Sequence, residues 1–263
     1  MDTPAGPGYA ASWTTEGTSG ETTVTETEWL SANFALLLMG EAETIRSDAA
    51  DPARDDWRAV AARVACLQRL GSDMPQGIRR WVSEATAYLD QEDRRAPADG
   101  LLHPDNEDVY RAFREAYADA GPELRQKLAA SQDVFRGADY YCFEGYMLEE
   151  DETSLTYTGP VYAAESTAHC DLIRDIFGNP FRPSPPLPPA VLAWNDSAVV
   201  HIAQAAYKER HLPSGVLDDG RLAVLADALE EAGCTDADIL SHLRGPGPHV
   251  RGCWPVDLCL GKT

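Results

Sequence analysis

The stretch that decides the fold is RLAVLADALEEAGCTDADILSHLRG, from Arg221 to Gly245. Its leucines recur at helical spacing over 221–231, which predicts an amphipathic helix closed by Gly233. Thr235 then has the position and chemistry of an N-cap for a second helix that ends at Gly245. Two helices separated by so short a turn are typical of an all-α protein.

The same apolar periodicity extends over most of the chain. Thr25 and Glu28 have the spacing of a capping box, and Asn195 or Asp196 is placed to cap a helix that runs to Arg210. We predict an all-α, multi-helix bundle of roughly nine helices in two subdomains. The expected helical segments are 25–38, 51–70, 78–89, 109–120, 122–135, 163–177, 195–210, 221–231, 235–244 and the short WPVDLCLG (254–261). The aromatic-rich segment before 163 admits one short β strand or hairpin near 153–162.

Composition divides the chain into four regions. Residues 1–23, rich in Gly, Thr and Ser, predict a disordered leader, and 24–177 a helical N-terminal domain. Six of the twelve residues in 178–189 are proline, which predicts a stiff linker before a helical C-terminal module at 190–263. The PxxP spacing in this linker also fits a ligand of proline-binding domains.

The charge balance restricts the class of partner. The net charge is −21, from 43 acidic and 22 basic residues, and this disfavours nucleic acid and anionic membranes as partners. The sequence has no apolar run of transmembrane length and no signal-like start. Its six cysteines are dispersed without a CxxC pair, so we expect a cytoplasmic protein with free thiols.

One set of residues has the chemistry of a metal site. Cys234, His242, His249 and Cys253 form a C-x7-H-x6-H-x3-C series that can supply a tetrahedral zinc site. The spacing matches no standard zinc module, and a buried thiol with histidines bonded to helix-end carbonyls is the favoured explanation. A third alternative makes Cys253 a nucleophile with His249 as its base.

The segment LRGPGPHVRGCW, from Leu243 to Trp254, contains part of this set. Its two prolines remove backbone N–H donors, so a phosphate-binding loop is disfavoured and a rigid corner between helices is favoured. Its arginines are expected to pair with acids of neighbouring helices or, together with Trp254, to bind a partner protein. The residues concerned are Arg244 and Arg251, with Glu230 and Asp238 as the acids.

Three segments resemble a family of proteins abundant in planctomycete bacteria. They are TETEWLSA (25–32), CDLIRDIFGNPFRP (170–183) and LADALEEAGCTDADILSHLRGPGPHVRGCWPVDLCLGK (225–262). Family members open with a TEAEWL-like segment and close with an LRDIFGNPFRP…GPGPHVRGCW block. Between about residues 40 and 165 this chain does not match the family. Members often carry an alanine-rich helical stretch there, whereas this chain is aromatic-rich. The resemblance implies a shared helical C-terminal module, and it carries over no catalytic residue because the family has no established activity.

These patterns favour a non-enzymatic interaction or regulatory protein. Amphipathic helices, an acidic surface and no convergent catalytic set point to another protein as the partner. A zinc-binding protein, structural or catalytic, is one alternative, and an acidic nucleic-acid mimic is another. Zinc is the one cofactor that the residues indicate, and the oligomeric state stays open.

Overall fold

The structure is a computed structural model, and it describes residues 25–33, 35, 38–39, 56–91, 107–136, 159–182 and 186–262. Within these ranges every regular element is a helix, so the predicted all-α class is confirmed. The α-helices are α1 (Glu26–Ser31), α2 (Asp56–Gln68), α3 (Gln76–Leu89), α4 (Glu107–Asp119), α5 (Pro122–Arg136), α6 (Pro160–Phe177), α7 (Pro189–Leu192), α8 (Trp194–Lys208), α9 (Asp219–Glu231), α10 (Ala237–Leu243) and α11 (Trp254–Cys259). The predicted leader, 1–23, lies outside the described residues.

Helix α6 begins earlier than the sequence pattern indicated. Residues 160–162, part of the expected strand near 153–162, form its first turn, whereas 153–158 lie outside the described residues. Gln126 on α5 explains this start, because its Oε1 accepts the N–H groups of Val161 and Tyr162 at 3.0 and 3.1 Å. The first N–H groups of a helix have no partner within it, and here a side chain supplies one.

The predicted caps have three different outcomes. The capping box of Thr25 and Glu28 is confirmed. The N-cap of α10 is Asp236 and not Thr235, since the Asp236 carboxylate accepts the N–H groups of residues 238 and 239. A cap at Asn195 or Asp196 is wrong. Residues 195–197 interrupt α8 with φ of 46, 54 and 61°, the left-handed region that Asn and Asp tolerate better than most residues, and the regular helix continues after them.

The buried side chains form two main hydrophobic cores. The first is built by α2 to α6, with α2 packed against α3, α5 and α6, and it also contains Trp29. The second is built by α7 to α11 around α8 and α9. Val250 belongs to the first core although the chain around it packs in the second. The predicted domain limits stay predictions.

The C-terminal corner joins the two cores. Arg251 donates to the carbonyl of Leu89 at the end of α3 and pairs with Asp90 at 3.0 Å. Gly252 has φ of +102°, and a Cβ there would lie 3.2 Å from the Cβ of Ala61 on α2. The close approach of α2 to the corner therefore requires glycine at this position.

Helix α1 packs against the end of α6. The Trp29 indole N–H donates to the carbonyl of Gly178 at 3.2 Å, and Arg174 donates to the carbonyl of Trp29 at 2.9 Å. Asn179 and Arg182 bind the carboxylate of Glu26. These contacts bring the TETEWLSA segment against the GNPFRP segment.

No helix in the described parts of the chain is long and apolar enough to cross a membrane.

Candidate metal centre

Asp175, His242, His249 and Cys253 converge at the boundary between the two cores. One donor atom from each side chain lies within 4.8 Å of the others, and this is the one such group among the described residues. Three of the four belong to the set predicted from the sequence. The fourth, Asp175, comes from α6, 67 residues before His242.

Different elements position the four side chains. Asp175 lies on the buried face of α6, whose neighbouring residues 172, 173 and 176 belong to the first core. His242 is in the last turn of α10, and Cys253 is the N-cap residue of α11. His249 precedes an isolated antiparallel bridge between Val216 and Val250, and its carbonyl accepts the N–H of residue 217 at 2.8 Å.

The distances between the donor atoms are those of a compact coordination shell. Asp175 Oδ1 lies 2.9 Å from His242 Nε2 and 2.8 Å from His249 Nδ1. Cys253 Sγ lies 3.5 and 3.9 Å from the same two nitrogens. In a tetrahedral zinc site, ordinary bond lengths place N and O ligands about 3.3 Å apart and N and S ligands about 3.6 Å apart. These four separations thus lie within about half an ångström of those in a tetrahedral zinc site.

The hydrogen bonds around the centre resemble the outer shell of a metal site. Asp175 Oδ2 accepts the N–H of Val250 at 2.9 Å, and the outer nitrogen of His249, Nε2, lies 3.4 Å from the carbonyl of Gly245. A neutral His249 can carry its proton on Nδ1, where Asp175 accepts it at 2.8 Å, or on Nε2, where the carbonyl of Gly245 accepts it at 3.4 Å. The shorter contact favours the proton on Nδ1 in the absence of a cation. A metal bound at Nδ1 would leave the proton on Nε2, which the carbonyl of Gly245 is placed to accept.

The electrostatics of the buried site favour charged groups at Asp175 and His249. Burial opposes the charge of Asp175, but the hydrogen bonds and charges of His242 and His249 outweigh it and lower the pKa of this carboxyl. Burial likewise opposes charge on His249, whereas the carboxylate of Asp175 raises its pKa above the usual value. A fully buried carboxylate of this kind requires a positive partner, which imidazolium or metal supplies.

The thiol of Cys253 does not have the properties of an activated nucleophile. It is fully buried, and burial followed by the negative charge of Asp175 raises its pKa well above that of an exposed thiol. Catalytic cysteines need the opposite shift and access to substrate. The 3.9 Å separation from His249 brings the two together, but the surroundings disfavour their use as a nucleophile and base. A metal ion would supply the positive charge that a thiolate needs here.

Cys234 is not part of this centre. It is buried in the second core, close enough to Cys259 for the two thiols to interact electrostatically. The residue follows the C-terminus of α9, where its N–H donates to the carbonyl of residue 229. Three residues of the predicted set therefore lie together, and Asp175 is in the place expected for Cys234.

The residues expected to bind a partner have contacts within the chain. Arg244 pairs with Glu230 at 2.6 Å as predicted, and with Asp227 in place of Asp238. Arg251 joins the corner to α3 and lies 5.0 Å from the ring of residue 207. Trp254 is half-buried, with its ring 5.3 Å from that of His242. Arg251 and Trp254 thus support the corner and the centre from inside, whereas Arg244 is exposed.

One signal in the sequence could have indicated Asp175. An acidic residue on the apolar face of α6, between Ile173 and Phe177, has to be paired because an isolated buried carboxylate is costly. The pairing residue cannot be read from spacing alone, since His242 and His249 lie 67 and 74 residues away.

Comparison of the chain with protein-family models, with curated proteins and with solved structures gives no match.

Proposed function

We propose that this chain is a zinc-binding protein in which Asp175, His242, His249 and Cys253 hold one structural metal ion. The observation that carries the proposal is the convergence of four donor atoms within 4.8 Å. Two imidazoles, a thiolate and a carboxylate are ligands that zinc prefers, whereas magnesium and calcium require sites made of oxygen. Four protein ligands leave no open position, which is typical of a structural and not a catalytic zinc site.

The metal would act as a link between the two cores. Asp175 belongs to a helix of the first core, whereas Cys253 lies in the second. Bound zinc would neutralise the buried carboxylate and thiolate, and it would hold the end of α6 against the corner. Since such a site does not exist in the unfolded chain, the free energy of metal binding would add to the stability of the folded state.

We place this zinc-linked fold among non-enzymatic interaction modules that act on another protein in the cytoplasm. Five cysteines in the described part of the chain, residues 66, 170, 234, 253 and 259, are buried and form no disulfide, which supports a reducing compartment. The net charge of −21 favours a basic protein surface over nucleic acid or a membrane. All four proposed ligands lie in the segments 170–183 and 225–262 that resemble the planctomycete family, so we infer that its members share this centre.

The test of the zinc proposal is the metal content of the purified, untagged protein, measured by elemental mass spectrometry. We expect one zinc ion per chain in the wild type, and its loss in Cys253→Ser and Asp175→Asn. Cys234→Ser is the matched control, because it removes another buried thiol of the same core that lies outside the centre. Equal metal content in the Cys253→Ser and Cys234→Ser proteins would contradict the proposal, as would a wild type that takes up no zinc on refolding.

A further inference from the structure

The four residues of the centre differ in their exposure to solvent. Cys253 is fully buried, and the side chains of Asp175 and His249 are 3 and 4% exposed. The side chain of His242 is 23% exposed. Solvent therefore reaches the centre on the side of His242, and a ligand or metal ion would enter there.

The four residues also differ in how firmly they are held. Asp175 is fixed by the N–H of Val250, and His249 by the carbonyl of Gly245. The backbone of Cys253 is held at both ends, since its N–H donates to the carbonyl of Val250 and its carbonyl accepts from residue 257. By contrast, in the described part of the chain the second ring nitrogen of His242, Nδ1, has no hydrogen-bond partner. Outer hydrogen bonds keep a ligating imidazole in place, so His242 would be the weakest-held ligand.

Aromatic rings line the position that His242 occupies. The ring of His249 lies 4.9 Å away and that of Trp254 lies 5.3 Å away, tilted by about 60° in both cases. The Trp254 indole is itself set against Gly178, where a Cβ would lie 3.2 Å from the ring. This wall of planar groups suits a flat heterocyclic ligand better than a bulky aliphatic one.

We propose that His242 is an exchangeable ligand, and that its coordination position accepts an imidazole or thiolate donor from a small molecule in solution. The inference rests on the proposed zinc centre and adds a binding position to it. In the exchange, a lone pair of the incoming nitrogen or sulfur replaces that of His242 Nε2, and a thiol releases its proton to solvent. Asp175, His249 and Cys253 keep the metal, and its oxidation state is unchanged.

Cobalt(II) substitution with imidazole as the probe tests this position. Cobalt reports the thiolate through a charge-transfer band in the near ultraviolet and four-coordination through strong visible bands. We expect His242→Ala to bind cobalt at least about tenfold more weakly than the wild type. Imidazole on the order of 10 mM, comparable to the effective concentration of a tethered side chain, should restore both the affinity and the visible bands. His249→Ala is the matched control, and imidazole should not restore it because that position is closed to solvent.

The outcomes separate this inference from the zinc proposal. A wild type without the charge-transfer band overturns both. If the wild type shows the band but imidazole does not restore cobalt binding by His242→Ala, only the exchangeable position is overturned. Restoration of His249→Ala to the same extent as His242→Ala would overturn it as well. The wild-type protein gives a second measurement that needs no variant: a small thiol such as 2-mercaptoethanol should intensify the charge-transfer band, because a second sulfur replaces His242 Nε2. A charge-transfer band that stays unchanged as the thiol concentration rises would contradict exchange at His242.

Discussion

Lowering the pH from 7 to 4.5 should destabilise this protein through His169, which lies outside the proposed metal centre. The side chain is fully buried on α6, and neither ring nitrogen makes a well-formed hydrogen bond among the described residues; the Glu165 carboxylate lies 4.0 Å from Nε2. Burial disfavours the charged ring and lowers the pKa of His169 from 6.5 to about 4, while the nearby carboxylate of Glu165 opposes this shift only in part. The folded protein therefore keeps His169 neutral over most of the acid range.

The sign and size of the effect follow from proton linkage. Between pH 6.5 and 4 the unfolded chain binds a proton at His169 that the folded chain does not bind, so stability falls as the pH falls. The effect is absent above pH 6.5 and complete below the folded pKa. A pKa lowered from 6.5 to about 4 corresponds to a loss of about 3 kcal/mol at full extent, and of about 2–3 kcal/mol at pH 4.5.

Urea denaturation followed by tryptophan fluorescence measures this loss. The wild type and His169→Leu, which has similar volume and no titrating group, are compared at pH 7 and at pH 4.5. The wild type should lose about 2–3 kcal/mol more on acidification than the variant. Taking the difference between the two proteins removes the contribution of every other titrating group. The same pH dependence in both proteins would refute the assignment of a neutral, buried His169.

Three further substitutions test the corner and the caps by urea denaturation. Gly252→Ala should lower the free energy of unfolding by about 1–3 kcal/mol more than Gly233→Ala does. Both glycines have positive φ, but of the two only Gly252 lacks room for a Cβ, so equal losses would contradict this packing. Arg251→Ala should cost about 1–3 kcal/mol of stability because it loses the hydrogen bonds to α3. Arg244→Ala, at an exposed position, should leave the urea midpoint unchanged. A larger loss in Arg244→Ala than in Arg251→Ala would show that Arg251 does not hold the corner. Asp236→Ala should cost about 1 kcal/mol, and a neutral result would remove it as the cap of α10.

The sequence predicts most of the helices because these have their own apolar stripes and local end signals, but α7 was not expected and the helix expected over 25–38 is interrupted after Ser31. The capping box of Thr25 and Glu28 is such a signal, and it depends on residues three positions apart. The turn at 195–197 could not be predicted in this way. Asn195 and Asp196 are common both as caps and in left-handed turns, and the sequence alone does not decide between the two uses.

The candidate centre could be predicted only where its residues are close in sequence. His242, His249 and Cys253 lie within twelve residues, and a turn brings them together. Cys234 satisfied the same pattern, but its position after α9 directs it into the second core. Asp175 enters the centre through the packing of α6 against α11, and this contact has no signature in local spacing.

X-ray absorption at the zinc edge of the purified wild-type protein tests the central claim most directly. If the zinc ion is bound by Asp175, His242, His249 and Cys253, the spectrum should show one sulfur neighbour at about 2.3 Å and three nitrogen or oxygen neighbours at about 2.0–2.1 Å. It should also show the imidazole scattering of two histidines. A shell of oxygen and nitrogen without sulfur, or one with two or more sulfurs, would contradict this ligand set.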